Sequence, residues 1–304
     1  MRIALIGYGE VGRILAEDLR ARGAALSAFD LKFTAAATPQ ADAMRHHARR
    51  HGVAVTDSHV QAVREADLVI SAVTASQAVA VAQSCAAALP RGCFFLDFNS
   101  ASPGAKVGAA EFVNAAGGRY VEGAVMTSVP PYRIKVPLLL GGPDAAALLP
   151  VLSDLGFAAM VTSERLGVAS ATKMCRSVMI KGLEAMTIEA FTTARHYGVE
   201  DAVIASLQET FPGIDWEKQG AYFFQRVIEH GRRRSEEVRE VAVTVREAGL
   251  EPWSAAGTAE RQAWVADLAD AGLFGVKGST GFARSADWRV EADRLLAHLK
   301  TKGS

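Results

Sequence analysis

The stretch Arg2-Ile-Ala-Leu-Ile-Gly7-Tyr-Gly9-Glu-Val-Gly12 decides the N-terminal fold. Its apolar run predicts a buried strand, and apolar residues at helical spacing follow from Ile14 to Leu19, so the glycines lie in a strand-to-helix turn. In such a turn Gly7 permits the tight bend, Gly9 lets a pyrophosphate approach the backbone, and Gly12 lets helix and strand pack closely. The helix N-terminus also favours phosphate charge. We therefore predict a dinucleotide-binding loop formed by Gly7, Tyr8, Gly9, Glu10, Val11 and Gly12.

Asp30 ends the second predicted strand, about twenty residues beyond the loop, where an acid is expected in dinucleotide-binding units. A carboxylate there accepts both hydrogen bonds from an adenosine ribose and repels a 2′-phosphate, which favours NAD over NADP. Lys32 softens that repulsion, so NADP stays possible. The alternative is a glycine turn in an α/β protein that binds no nucleotide, and the strand-turn-helix context disfavours it.

Two patterns divide the chain. Up to residue 162, short apolar runs alternate with stretches of helical periodicity, which predicts a parallel sheet covered by helices. The predicted strands are Ile3–Ile6, Leu26–Phe29, Val53–Val55, Leu68–Ala72, Phe94–Asp97, Tyr120–Glu122, Val136–Leu140 and Ala158–Val161. From Gly167 onward, residues 167–197 and 218–248 read as long helices. We predict an α/β chain with a doubly wound Rossmann domain at 1–162, followed by an all-α substrate and dimerisation domain at 163–304.

Composition limits the partners and the compartment. The 304 residues carry 33 basic and 33 acidic side chains, so no overall field draws the protein to nucleic acid or an anionic membrane. We expect a small-molecule substrate, no nucleic acid and no membrane. Met1 leads directly into the first strand, which leaves no signal peptide and predicts a cytoplasmic protein. The long helices need a partner surface for their apolar stripes, so we expect a homodimer or higher homo-oligomer.

No metal site is predicted. Cys85, Cys93 and Cys175 lack the spacing of a zinc or disulfide framework. His47 and His51 have the i, i+4 spacing of a helical metal pair, but no third ligand is evident in the sequence, which favours a solvated helix face.

Lys173 follows a small and apolar stretch, Gly167-Val-Ala-Ser-Ala-Thr-Lys173, at the start of a predicted helix. Arg176 and Ser177 come three and four residues later, which places all three polar groups on one helix face. A lysine on an apolar helix requires a partner or a function, because burial of an unpaired charge is costly. Two interpretations stay open: a salt bridge at an interface, or a reactive amine.

Several motifs together resemble the β-hydroxyacid dehydrogenase family, the relatives of phosphogluconate dehydrogenase and 3-hydroxyisobutyrate dehydrogenase. The resemblance extends over nearly the full length, through the glycine loop, the pair Gly141-Gly142, and the helix with Gly167 and Lys173. The family's substrate strand is matched by Glu122-Gly-Ala-Val-Met-Thr-Ser128. The chain looks like a divergent branch of that family with its own C-terminal helical domain.

The resemblance implies roles for particular residues. Lys173 corresponds to the family's general acid/base, and Ser177 stands where the family has a substrate-orienting asparagine. Met126 replaces the usual serine of the substrate strand, which makes the expected pocket more apolar and adaptable. The candidate catalytic residues are therefore Lys173 and Ser177, and the candidate substrate-binding residues are Met126, Thr127, Ser128, Arg176 and Ser177.

Two further segments are expected to line the cofactor. Ala72-Val73-Thr74 ends one predicted strand, and Asn99-Ser-Ala-Ser-Pro103 follows another. Ligands of doubly wound sheets lie outside the carboxyl ends of the strands, so we add Val73, Thr74 and Asn99 to the cofactor site. The second segment also reads as an ordinary helix start, with a serine N-cap before proline, and both interpretations are compatible.

The sequence thus predicts an NAD(P)-dependent dehydrogenase that transfers a hydride between the cofactor and a primary or secondary alcohol of a hydroxy-acid-like substrate. One alternative is an imine reductase of the same fold, in which an acid or tyrosine usually replaces the lysine. Another is a non-catalytic NAD(H)-sensing protein.

Overall fold

The computed structural model describes residues 1–34, 38–283 and 285–302. The chain forms two compact units, Met1–Met174 and Cys175–Ser304. Within the described ranges, no helix combines the length and the apolar character needed to cross a membrane.

The first unit contains all eight predicted strands, with ends that differ from the predicted ones by at most three residues. They are β1 (Arg2–Ile6), β2 (Ala25–Phe29), β3 (Val53–Val55), β4 (Leu68–Ser71), β5 (Phe94–Asp97), β6 (Arg119–Val125), β7 (Leu138–Gly141) and β8 (Ala159–Ser163). They form one sheet in the order β3-β2-β1-β4-β5-β6-β7-β8. The reversal of strand order between β1 and β4 is the topological switch point at which doubly wound folds bind ligands.

One strand pair departs from the predicted parallel sheet. β6 and β7 pair antiparallel, with Glu122 opposite Gly141 and Val125 opposite Leu138. The amide of Met126 continues this pairing by donating to the carbonyl of Pro137 at 3.0 Å. The chain returns directly along β6 here, whereas a parallel neighbour requires a crossover to the opposite end of the sheet.

Helices cover both faces of the sheet, as alternation along β1 shows. Ile3 and Leu5 belong to one buried apolar cluster, and Ala4 and Ile6 belong to another. The helices of this unit are α1 (Glu10–Arg20), α2 (Leu31–Thr34), α3 (Pro39–Arg50), α4 (His59–Val63), α5 (Ala78–Ala86), α6 (Pro103–Ala115), α7 (Val129–Tyr132) and α8 (Ala145–Asp154). The predicted Rossmann architecture is confirmed.

Every element in the described part of the second unit is helical, as predicted. These helices are α9 (Val168–Tyr197), which begins in the first unit, and α10 (Glu200–Thr210), α11 (Trp216–Glu247), α12 (Trp253–Asp270) and α13 (Trp288–Lys302). Two glycines of α11 allow close packing. A Cβ on Gly231 would lie 2.8 Å from the carbonyl oxygen of Gln262 on α12, and one on Gly220 would lie 2.7 Å from the ring of Phe191.

Candidate active site

The three loop glycines are required for different reasons. Gly7 has φ +94°, and a Cβ there would collide with the carbonyl oxygen of Ala72 on the neighbouring strand end. A Cβ on Gly12 would collide with the carbonyl oxygen of Gly7. Gly9 differs, because a Cβ there would meet no heavy atom within 4 Å. Packing within the chain therefore accounts for Gly7 and Gly12, and the open side of the loop lies at Gly9.

Gly9 is also the N-cap of α1, and it has no side chain with which to cap the helix. The first amides of a helix have no intrahelical acceptor, so this end carries unpaired donors and the positive end of the helix dipole. Glu10 is exposed, Val11 is half-buried and Gly12 is buried. A loop with open space at Gly9 and donors in the first turn fits the pyrophosphate of a dinucleotide.

Asp30 lies directly after β2 and is tied to the same loop. Its carboxylate accepts hydrogen bonds from the amide of Tyr8 at 2.8 Å and from the amide of Lys32 at 2.9 Å. Each carboxylate oxygen has further lone pairs, so Asp30 can also accept from a ribose hydroxyl. The side chain of Tyr8 is fully buried, and its hydroxyl lies 3.1 Å from Nδ1 of His47. Tyr8 therefore offers the loop its backbone only.

Asn99 joins the two segments that the sequence assigned to the cofactor. Its side-chain oxygen accepts from the amide of Val73 at 2.7 Å, and its side-chain nitrogen donates to the hydroxyl of Ser71 at 3.0 Å. Thr74 is exposed on the same strand end. Because β4 and β5 are parallel, this amide links their carboxyl ends at the ligand-binding edge.

A buried ionic cluster lies beneath Asn99, and sequence reasoning missed it. Lys106 of α6 is 1% exposed, and its Nζ lies 2.9 Å from Oδ1 of Asp97 and 2.9 Å from that residue's carbonyl oxygen. Tyr120 donates to the other oxygen of Asp97 at 2.7 Å, and the amide of Asn99 donates to Oδ1 at 2.9 Å. Burial, reinforced by the charge of Asp97, raises the pKa of Tyr120 well above its usual value, so its hydroxyl stays a donor. The cluster fixes the loop after β5.

Ser100 and Ser102 follow in that loop. Ser102 caps α6 by accepting from the amide of Ala105 at 3.3 Å, with Pro103 as the first helical residue, so the ordinary helix start is realised. Ser100 is half-buried and accepts a hydrogen bond from Nζ of Lys173 at 2.5 Å. The sequence indicated this segment but not this serine.

The start of α9 is held on the sheet by Glu122. This fully buried carboxylate of β6 accepts from the amide of Ala169 at 3.0 Å and from the hydroxyl of Ser170 at 2.8 Å. A carboxylate at a helix N-terminus satisfies amides that the helix leaves unpaired. Glu122 therefore determines where the helix begins, and Lys173 follows one turn later.

The remaining predicted substrate residues lie in two places. Met126, Thr127 and Ser128 follow the carboxyl end of β6, where Met126 is half-buried and Thr127 is exposed. Arg176 and Ser177 lie on α9 in the second unit, the arginine exposed and the serine 7% exposed.

The first unit is thus a Rossmann domain with a glycine loop, an acid after β2, and a lysine hydrogen-bonded at the carboxyl edge of the sheet. These are features of the nicotinamide-dependent dehydrogenase class. The comparisons agree with this architecture. A family profile described as "NADP oxidoreductase coenzyme F420-dependent" matches residues 2–99, and a domain of unknown function, DUF1932, matches residues 194–265.

Three relatives are similar over most of their length. A conserved hypothetical protein from Sinorhizobium meliloti is 38% identical, with a TM-score of 0.76, over 97% of this chain and 96% of that one. The conserved protein MTH1747, described as structurally similar to 3-hydroxyacid dehydrogenases, is 29% identical, with a TM-score of 0.70, over 89% and 98%. An uncharacterised 28.5 kDa protein of Methanothermus fervidus is 27% identical over 83% of this chain and 94% of that protein.

More distant structures share the fold alone. The 3-hydroxyisobutyrate dehydrogenase of Mycobacterium tuberculosis is 18% identical, with a TM-score of 0.67, over 97% of this chain and 98% of its own. An imine reductase from Myxococcus stipitatus in complex with NADP+ is 18% identical, with a TM-score of 0.53, over 96% and 99%. This chain belongs to the β-hydroxyacid dehydrogenase family, as its motifs predicted.

Proposed function

We propose that the protein is an NAD(P)-dependent oxidoreductase that acts on an alcohol group of a hydroxy-acid-like substrate, with Lys173 as general acid/base. The observation that carries the proposal is the hydrogen bond from Lys173 to Ser100 at the edge of the sheet that carries the glycine loop. A bound nicotinamide cofactor supplies the hydride acceptor or donor in this class of enzyme.

Residues of the chain supply proton transfer and hold the reacting groups in position. In the oxidation direction Lys173 accepts the hydroxyl proton of the substrate, and in reduction the protonated amine returns it. Ser100 holds the amine in place through its hydroxyl oxygen. Asn99 holds the Val73 segment, and Asp30 faces the expected ribose position, which favours NAD while NADP remains compatible.

Further substrate-binding residues are proposed from the family resemblance. Met126, Thr127 and Ser128 supply one adaptable apolar side chain and two hydroxyl groups, Arg176 supplies a cation for a carboxylate, and Ser177 orients the substrate.

We further propose a functional division into residues 1–162 and 163–304, a homo-oligomer of at least two copies, and a cytoplasmic location.

Relatives support this class of reaction and also supply the second candidate. MTH1747 is described as structurally similar to 3-hydroxyacid dehydrogenases, whereas distant structures of this fold include imine reductases. Lys173 favours alcohol chemistry, because a lysine on this helix is suited to exchange a proton with a hydroxyl group.

An absorbance assay at the NADH band tests the proposal. The protein would be screened with NAD+ and NADP+ against hydroxy acids, hydroxymethyl compounds and aromatic secondary alcohols, and with the reduced cofactors against cyclic imines. Alcohol turnover that Lys173→Met abolishes supports the proposal. Turnover of imines alone would identify the protein as an imine reductase instead. Tight NADH binding without any turnover would favour a nucleotide-sensing protein.

A further inference from the structure

Three potential metal ligands meet between α1 and α3, beside the dinucleotide loop. His47 lies in α3, His51 caps the C-terminal end of that helix, and Glu17 faces them from α1. One nitrogen of each imidazole and one carboxylate oxygen lie within 4.8 Å of one another. The structure therefore supplies the carboxylate that the spacing of the two histidines lacked.

The ring of His47 is already oriented at both nitrogens. Its Nε2 lies 2.9 Å from Oε1 of Glu17, and its Nδ1 lies 3.1 Å from the buried hydroxyl of Tyr8. A metal-bound histidine usually has its second nitrogen hydrogen-bonded in this way, which fixes the ring and its tautomer. A tyrosine hydroxyl either donates or accepts, so Tyr8 can serve His47 with and without a metal on Nε2.

Glu17, Asp18 and Arg133 together carry a net negative charge, which favours a bound cation. Its second oxygen, Oε2, accepts from Nη2 of Arg133 at 2.7 Å, which holds the carboxylate in place. Arg133 is also bound to Asp18, at 2.8 Å from Nη2 and 3.0 Å from Nε, so Asp18 offsets the arginine charge.

We propose that Glu17, His47 and His51 form a binding site for a zinc ion. Two imidazole nitrogens and one carboxylate oxygen are a set that zinc prefers, with water as the fourth ligand. The side chains of His47 and Glu17 are 17% and 34% exposed, so an ion and its water can reach them.

The three ligand atoms, which lie within 4.8 Å of one another, must shift by up to about 1.5 Å to surround a zinc ion. Zinc bonds of about 2.0–2.1 Å in a tetrahedron place neighbouring ligand atoms about 3.3 Å apart. The pair His47 and Glu17 must widen by a few tenths of an ångström. His51 must move inward, and its ring, stacked on His47 with 4.4 Å between centroids, is half-buried at a helix end.

Zinc titration of the full chain tests the site without reference to activity. Protein freed of metal with a chelator is titrated with Zn²⁺ by calorimetry and with Co²⁺, whose visible absorption reports a tetrahedral nitrogen and oxygen environment. We expect one Zn²⁺ per chain and a zinc-dependent rise in Tm. His51→Asn and Glu17→Gln should each weaken binding by about tenfold or more.

His46→Asn is the matched control, because His46 is an exposed neighbour on the same helix. It should bind zinc like the unaltered chain. His51→Asn changes a half-buried helix cap to a residue that caps tolerate, and circular dichroism verifies that the fold is kept. The proposal is overturned if the unaltered chain binds no zinc, or if His51→Asn and Glu17→Gln bind it as tightly as His46→Asn does.

Discussion

Lys173 and Ser100 lie 73 positions apart in the chain, and their side chains meet with 2.5 Å between Nζ and Oγ. Glu122 sets the start of the helix, and the buried Asp97–Lys106 pair sets the loop that carries the serine. The amine is therefore positioned from both sides within one compact unit.

Lys173→Met should lower kcat by about a hundred- to ten-thousand-fold, because it removes the proposed general base. The affinity for the nicotinamide cofactor, measured by fluorescence titration, should change little. The limb of the kcat/KM profile that rises with pH for alcohol oxidation should disappear. Lys218→Met is the matched control, since Lys218 is an exposed lysine of the second unit. Lys181 is a poor control because it is buried against Glu237. Unchanged turnover and pH profile in Lys173→Met would remove the mechanism.

Ser100→Ala should lower kcat by about tenfold while the protein stays folded. The substitution removes one hydrogen bond to a charged group, worth about 1.5 kcal/mol or more, at a half-buried position. Steady-state kinetics measure the effect, and Ser100→Thr, which keeps the hydroxyl, should recover part of the rate. If Ser100→Ala and the unaltered chain had equal kcat, the hydrogen bond would have no part in positioning the amine.

Asp30→Ser should narrow the proposed preference for NAD over NADP, because a bound ribose would lose an acceptor and a 2′-phosphate would lose a repulsive neighbour. The substitution also removes the hydrogen bonds that Asp30 accepts from the amides of Tyr8 and Lys32. Asp30→Asn keeps an acceptor for one amide and removes the charge, so it separates cofactor choice from loop order. The kcat/KM ratio of the two cofactors measures the change. A wide preference for NADP in the unaltered chain would show the assignment of Asp30 to be wrong.

Lys106→Met should destabilise the first unit by about 3–5 kcal/mol, because it leaves the carboxylate of Asp97 buried without its cation. Urea unfolding at pH 7 measures the free energy of unfolding. Lys135→Met, at an exposed position of the same unit, is the control and should change it by less than about 0.5 kcal/mol. A loss no larger than that of the control would mean that the pair contributes nothing.

The lowered pKa of Lys181 should be visible in how the free energy of unfolding changes with pH. Burial lowers the pKa of this lysine from its usual 10.5, although the charge of Glu237 acts in the opposite direction. The unfolded state therefore holds more protons in the range just below 10.5, and the free energy of unfolding rises with pH there. Urea unfolding from pH 7 to 10 measures the free energy of unfolding of the unaltered chain and of Lys181→Met. The difference between the two should rise with pH, because the titrations of all other groups cancel in it. Glu237→Gln should steepen it, and parallel curves would contradict the assignment.

Local patterns were sufficient to predict most of the fold. Each strand of the first unit is a short apolar run, and the glycine loop is a contiguous motif, so both are visible in a window of a few residues. The direction of β7 was not predicted, because it depends on the path of the chain between Val125 and Leu138 rather than on either strand.

Long-range partners were harder to foresee. Nothing near Lys173 points to Ser100, and nothing near His47 points to Glu17, because in each case the partner comes from another element. Lys106 did have a signal. It shares the buried stripe of α6 with Ala109, Ala110 and Val113, and a lysine in such a stripe must meet a counterion.

In this glycine motif, closure of the turn and space for a nucleotide depend on different glycines. Gly7 and Gly12 are needed for the chain to close its own turn, whereas the packing of the chain would tolerate a methyl group at Gly9. We therefore expect Gly9→Ala to block the proposed nucleotide site without a steric clash inside the chain. In a cell, such a variant would distinguish phenotypes caused by lost chemistry from those caused by a lost protein.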